Sequence, residues 1–146
     1  VDFLVESGAD VNKADDFENT SLHLASCEGH IEIVKLLVEN GCDINKADNF
    51  ENTPLHLASY EGHIEIVKIL VENGVDISKS DKNGKIALNI AFEKDFFEIV
   101  EILKSHINTF YNNKKRNTSH TTFAFSAYES GASNSNDQNT ENSPSK

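Results

Sequence analysis

The sequence predicts an all-α solenoid of stacked helix pairs, followed by a disordered C-terminal tail. Three observations predict it. Residues 16–48 and 49–81 match each other at 26 of 33 positions without a gap, and a fixed period of this length marks a stacked repeat. The helix expected over Ile64–Glu72 is apolar on nearly every side: Ile64, Ile66, Val67, Ile69, Leu70 and Val71 leave only Glu65, Lys68 and Glu72 as a narrow charged stripe. A lone amphipathic helix needs one apolar face, so this one must pack on its partner helix and on neighbours before and after it. From residue 108 the chain turns rich in Asn, Ser and Thr and poor in aliphatics, too poor to offset the entropy of ordering.

The elements follow in order. Residues 1–15 read as the second half of a first unit, because Val1–Gly8 aligns with Val34–Gly41 and Gly8–Asp15 with Gly41–Asp48. The helix that should come before Val1 is missing from the sequence, so the chain reads as a piece of a longer repeat protein. Phe3, Leu4 and Val5 then lack a packing partner and are expected to fray. Residues 16–48 and 49–81 are full units. In the second, Thr53 caps a first helix of about Pro54–Tyr60; its hydroxyl accepts a backbone N–H, and Pro54 at the first helical position gives up a donor that would be orphaned anyway. Ala58 and Ser59 are small where a neighbour must come close, and Gly62 ends the helix. Gly74 ends the second helix with a left-handed residue, as Gly41 does one unit earlier.

Residues 82–107 form a degenerate third unit. Ile86-Ala87 stands for the Thr-Pro start, Asn89 for the His and Asp95-Phe96 for the Gly-His turn. Its second helix ends in Lys104-Ser105-His106. A last repeat has no following neighbour and takes polar groups on its outer face, so it is read as the C-terminal cap. Residues 108–146 are the tail. Its aromatic exceptions are Phe110-Tyr111, Phe123, Phe125 and Tyr128, and Lys114-Lys115-Arg116 is too short for a nuclear signal.

The runs T-P-L-H-L-A at Thr53–Ala58, G-H-I-E-I-V-K-I-L at Gly62–Leu70 and N-G-V-D-I at Asn73–Ile77 resemble the ankyrin repeat. The resemblance covers roughly residues 1–105. It implies an L-shaped unit of two antiparallel helices and a β-turn finger at right angles to them. It also implies non-catalytic protein binding through the finger tips and the concave face of the first helices, as an adaptor or scaffold would do. A reading from another class makes the chain the recognition arm of a larger enzyme, channel or ubiquitin-ligase subunit whose active domain lies upstream. A third makes it a spacer with no specific partner.

Charge narrows the partner. Residues 1–107 carry 9 Lys/Arg against 21 Asp/Glu, and residues 108–146 carry 4 against 3. An acidic body does not seek phosphates, which excludes nucleic acid as a fitting partner. It suits a protein partner with a basic or mixed surface. No membrane-spanning run and no leader is visible in the sequence, so an intracellular monomer in the cytoplasm or nucleus is expected. The two cysteines, Cys27 and Cys42, have no metal spacing and read as ordinary reduced thiols.

No catalytic or metal-binding set emerges, and no cofactor is expected. His23 and His56 repeat in register three residues after Thr20 and Thr53. A group needed once for chemistry is not printed twice, so each imidazole is expected to bond the Thr hydroxyl and nearby backbone. His30 and His63, after Gly29 and Gly62, receive the same structural reading. Cys27 lies four residues after His23, but nothing readable would activate it. Binding residues must lie where the stack does not use them. Phe17 with Asn19, and Phe50 with Asn52, stand in the fingers, and exposed aromatics are enriched in binding hot spots. Glu28, Tyr60, Glu61 and Lys94 align with family positions that face the target, with Tyr60 the preferred anchor. Lys82 and Lys85 make the third finger basic. The family places Gly in the finger turn, as at Gly84, whereas Glu18 and Glu51 occupy it here. A non-Gly residue in a left-handed turn costs roughly 1–2 kcal/mol, so either the turn differs or stability is lost. With so few good repeats the array sits near the roughly three-repeat minimum, and marginal stability is expected.

Overall fold

The structure is a computed structural model and describes residues 8–115. Among them are six helices: α1 (Ser21–Glu28), α2 (Ile31–Glu39), α3 (Pro54–Glu61), α4 (Ile64–Glu72), α5 (Ala87–Glu93) and α6 (Phe97–Lys115). No strand occurs among the described residues; one isolated bridge joins Ala14 and Thr20.

The first helices start from reciprocal caps. The Thr20 and Thr53 hydroxyls accept from the His23 and His56 backbone N–H at 3.4 Å. Each Thr N–H in turn donates to Nδ1 of the same histidine at 3.1 Å. Two orphan donors are thus satisfied together. In α5 Ile86 has no hydroxyl, yet its N–H still donates to Asn89 Oδ1 at 2.9 Å.

The turn after each first helix needs a left-handed residue. Gly29 (φ 83°) and Gly62 (φ 79°) supply it, and Asp95 (φ 63°) does so at the same register in the third unit. Space adds a second demand. A Cβ on Gly29 would sit 2.8 Å from the His63 ring, and one on Gly62 2.8 Å from the Phe96 ring. Each turn therefore carries the next unit's ring directly against its backbone. The second helices close with Asn40 and Asn73, whose side-chain amides donate to the Leu36 and Ile69 carbonyls at 2.8 Å. Gly41 and Gly74 follow with φ of 78° and 83°.

Packing repeats as the sequence does. The first helices α1, α3 and α5 pack in series, and α2 packs on α4. Leu22, Leu55 and Leu88 are buried at one register, Ala25, Ala58 and Ala91 at a second, Val34, Val67 and Val100 at a third, Leu37, Leu70 and Leu103 at a fourth. Each buried Leu or Val contributes about 1.5–3 kcal/mol by leaving water. On α4, Ile66, Val67 and Leu70 are fully enclosed, Ile64, Ile69 and Val71 half so, and Glu65 and Glu72 lie outside. Ser26 and Ser59 are buried with hydroxyls that find no hydrogen-bond partner. Their small size is what the close approach of the first helices uses, against a desolvation cost of about 1–3 kcal/mol each.

Each finger is built around an aspartate. The Asp48 carboxylate accepts the N–H of Phe50 (2.8 Å) and of Asn52 (2.9 Å). Asp15 holds Phe17 and Asn19 in the same way, and Asp81 holds Asn83 and Lys85. The turn is the same in all three. Glu18 and Glu51 are left-handed at φ 65° and 63°, where Gly84 has 79°. The geometry is kept and the strain is carried.

The end of the stack differs from a fully polar cap. Phe92 stands at the register of the buried Ser26 and Ser59, but is exposed, with its ring edge-on to the exposed Phe97 at 6.4 Å. Ser59 lies three residues after His56, on the side turned toward the next unit; no fourth unit follows Phe92 among the described residues. The last helix also runs on. The packed unit reaches His106 and a second unit begins at Ile107, yet α6 remains helical to Lys115. Residues 108–115 are therefore helix where the sequence suggested tail. Residues 1–7 and 116–146, with the expected fraying at Phe3–Val5 and the aromatics Phe123, Phe125 and Tyr128, lie outside the described residues.

Replacing Glu51 by Gly relieves the left-handed strain while adding Gly's backbone entropy to the unfolded chain. The net expected is a gain of roughly 0.5–1 kcal/mol in urea denaturation; a loss would show that Glu51 makes a compensating contact.

Candidate functional site

The units are joined by side chains that reach across to the next backbone. His23 Nε2–H donates to the Asn52 carbonyl at 2.9 Å, and His56 Nε2–H to the Lys85 carbonyl at 3.0 Å. A carbonyl only accepts, and Nδ1 already accepts the Thr N–H, so both rings are neutral with the proton on Nε2. His63 Nε2 makes a third link, to the Cys27 carbonyl at 2.9 Å. His30 differs: it turns outward and meets Glu28 at 3.1 Å. Asn12 Oδ1 accepts the Asp43 N–H, and Asn45 Oδ1 the Asp76 N–H at 2.8 Å. Ser78, at the same register one unit on, bonds its own turn through Asp76 at 2.6 Å. Finger also meets finger: the Asn49 N–H donates to the Phe17 carbonyl and the Lys82 N–H to the Phe50 carbonyl.

These links fix the face that remains. Thr20, His23, Thr53, Pro54 and His56 are buried in the framework. Phe17 and Phe50 project from neighbouring finger tips, 60% and 55% exposed, and Tyr60 is 52% exposed at the end of α3. Asn19 and Asn52 are half-buried, and their carbonyls close the finger turns. Their main chains thus belong to the scaffold. Glu28 and Glu61 are exposed at equivalent ends of α1 and α3.

Three lysines of the third unit, Lys82, Lys85 and Lys94, are engaged. Lys94 Nζ lies 4.0 Å above the centre of the Tyr60 ring, and Lys82 Nζ 5.7 Å from that of Phe50. Lys85 Nζ meets Glu93 at 2.9 Å, which raises the lysine's pKa. The expected basic end is therefore partly neutralised by its own neighbours. Between α3, α5 and the third finger lies an open groove of about 380 Å³, lined by Tyr60, Glu61, Lys85, Glu93 and Lys94 over a floor of Leu57 and Ile90. The sequence reading missed both the ring–lysine pairs and the aspartates at 15, 48 and 81. The latter recur every 33 residues in plain view.

Neither thiol is activated. Burial, then Asp43, pushes Cys42 up to about 11; burial, then Glu61 and Glu28, raises Cys27. Thiolate, the reactive form, is correspondingly scarce. Among the described residues no cluster of His, Cys, Asp or Glu is arranged to hold a metal ion. None of their helices is long and apolar enough to cross a membrane.

A family model described as ankyrin repeats, in three copies, matches residues 1–81 and 41–117. No curated protein matches the chain.

Burial lowers the pKa of His23 and His56, opposed in part by the carbonyls they bond and by nearby aspartates. The unfolded chain then binds more protons than the folded one below about pH 6.5. Stability is fully present above that pH. It falls as pH drops through the window beneath it, each histidine adding up to about 1.4 kcal/mol per unit, until the folded rings themselves take the proton. Urea unfolding between pH 7 and 5 checks this; the double variant His23→Asn/His56→Asn is expected to flatten the slope, and an unaltered slope contradicts it.

Proposed function

Because the chain belongs to the ankyrin-repeat family, whose repeats are in general protein-interaction modules, we propose that it is a non-catalytic adaptor. It binds a protein partner across the finger tips and the groove beside α3. The observation that supports this most is the placement of three half-exposed rings. Phe17 and Phe50 stand on adjacent tips and Tyr60 on the groove wall, while His23, His56, His63 and Asp15, Asp48 and Asp81 are consumed by the scaffold. Large rigid aromatics on an otherwise stitched framework supply contact area at small entropic cost. The strongly acidic stack favours a partner with a basic or mixed surface. The protein acts as a monomer inside the cell, in the cytoplasm or nucleus, without nucleic acid.

Affinity capture with the full chain and with Phe17→Ala, Phe50→Ala and Tyr60→Ala tests this. Each substitution is expected to weaken partner binding by about tenfold, the effect of losing roughly 1.4 kcal/mol. Partners retained unchanged by all three variants would overturn the assignment of this face.

A further inference from the structure

The groove beside α3 already holds a cation, and that cation is the chain's own. Lys94 Nζ sits 4.0 Å over the Tyr60 ring. A ring face attracts an ammonium or guanidinium through its quadrupole. Three carboxylates line the same groove: Glu61, Glu93 and Asp81. Asp81 is occupied by the Asn83 and Lys85 N–H groups, and Glu93 by Lys85 Nζ. Glu61 is exposed and takes part in no ion pair among the described residues. The groove therefore combines an aromatic face, an available carboxylate and an apolar floor of Leu57 and Ile90. Its cationic occupant comes from a flexible side chain at the end of α5.

We propose that this groove recognises an arginine or lysine side chain on a basic segment of a protein partner, and that Lys94 is an internal competitor which the incoming cation displaces. The proposal rests on the reading of this face as the binding surface and adds the chemistry of what enters it. Charge complementarity supports the choice of occupant: residues 1–107 carry 21 Asp/Glu against 9 Lys/Arg, and a guanidinium can stack on Tyr60 while its N–H groups reach Glu61. Arginine suits such a place better than lysine, because its planar group stacks and donates at once. Tyr60 provides the face, Glu61 the counter-charge, and Lys94 sets the threshold a partner must exceed.

The test uses the full chain and a defined probe: tri-arginine, acetylated and amidated at its ends, against tri-citrulline of the same shape without charge. Two NMR signals report locally. One is the Tyr60 ring resonance, identified by its loss in Tyr60→Leu. The other is the Lys94 ε-methylene, which lies in the ring current of Tyr60. Tri-arginine is expected to shift the first saturably and to return the second to the position of a free lysine, while tri-citrulline moves neither. Lys94→Ala is expected to lower the titration midpoint by about two- to fivefold, the range of a surface cation–π contact. Lys68→Ala removes the same charge from α4 and is expected to leave it unchanged. Equal shifts with tri-citrulline, weaker binding in Lys94→Ala, or an equal gain in Lys68→Ala would each overturn the proposal. If tri-arginine fails while the alanine variants still lose the partner in affinity capture, the binding face stands and its cation specificity falls. If affinity capture is also indifferent to Tyr60, Phe17 and Phe50, the face itself falls.

Discussion

No single unit in this chain can cover its own apolar surface, and the rest of the structure answers that shortage. On α4, Ile66, Val67 and Leu70 are enclosed on all sides, which a partner helix alone cannot achieve. Stacking in register supplies the missing cover, and register is possible because the units repeat almost residue for residue. Alanines at 25, 58 and 91 let the first helices approach, and glycines at 29 and 62 let the next unit's ring settle on the turn. A side chain at either glycine would push the units apart.

Stacking also brings backbone groups out of water, and those need partners. The answer is a set of repeated long-range bonds from one unit to the next: His23 to Asn52, His56 to Lys85, His63 to Cys27, Asn45 to Asp76. Each set changes at the C-terminal end. Asn89 replaces the histidine and satisfies its own cap; Ser78 replaces the asparagine and bonds its own turn. In both places a side chain that reaches forward gives way to one that bonds locally as the stack nears its C-terminal end. Because the scaffold uses its polar groups on itself, the aromatic tips and the Tyr60 groove are what remains exposed and unspent.

Much of this was legible in the sequence. The 33-residue period, the caps at Thr20 and Thr53 and the all-round apolar second helix announced the fold before any coordinates. The repetition of His23 at His56 already argued for structure over chemistry. Three things were hidden, for physical reasons. Glu18 and Glu51 looked like a threat to the finger turn, because local propensity does not weigh the two N–H bonds that Asp15 and Asp48 contribute to holding it. The extension of α6 to Lys115 runs through a stretch rich in Asn, Thr and Lys, whose polar composition hides the helical spacing that Leu103, Ile107, Phe110 and Tyr111 continue. The lysines looked like a free basic patch, because where a long side chain lies depends on rings and carboxylates brought near only by stacking: Tyr60 for Lys94 and Glu93 for Lys85.

The mutual dependence of the units is the claim on which the fold, the linkage and the proposed binding face all rest. Native-state hydrogen exchange of Leu70→Ala measures it most directly, since removing this fully buried side chain costs about 2–5 kcal/mol at one place. The account predicts that amides of α1 and α5, in the units before and after, lose protection together with those of α3 and α4. Loss confined to residues 54–72, with the flanking helices as protected as before, would mean that the units stand alone and would contradict it.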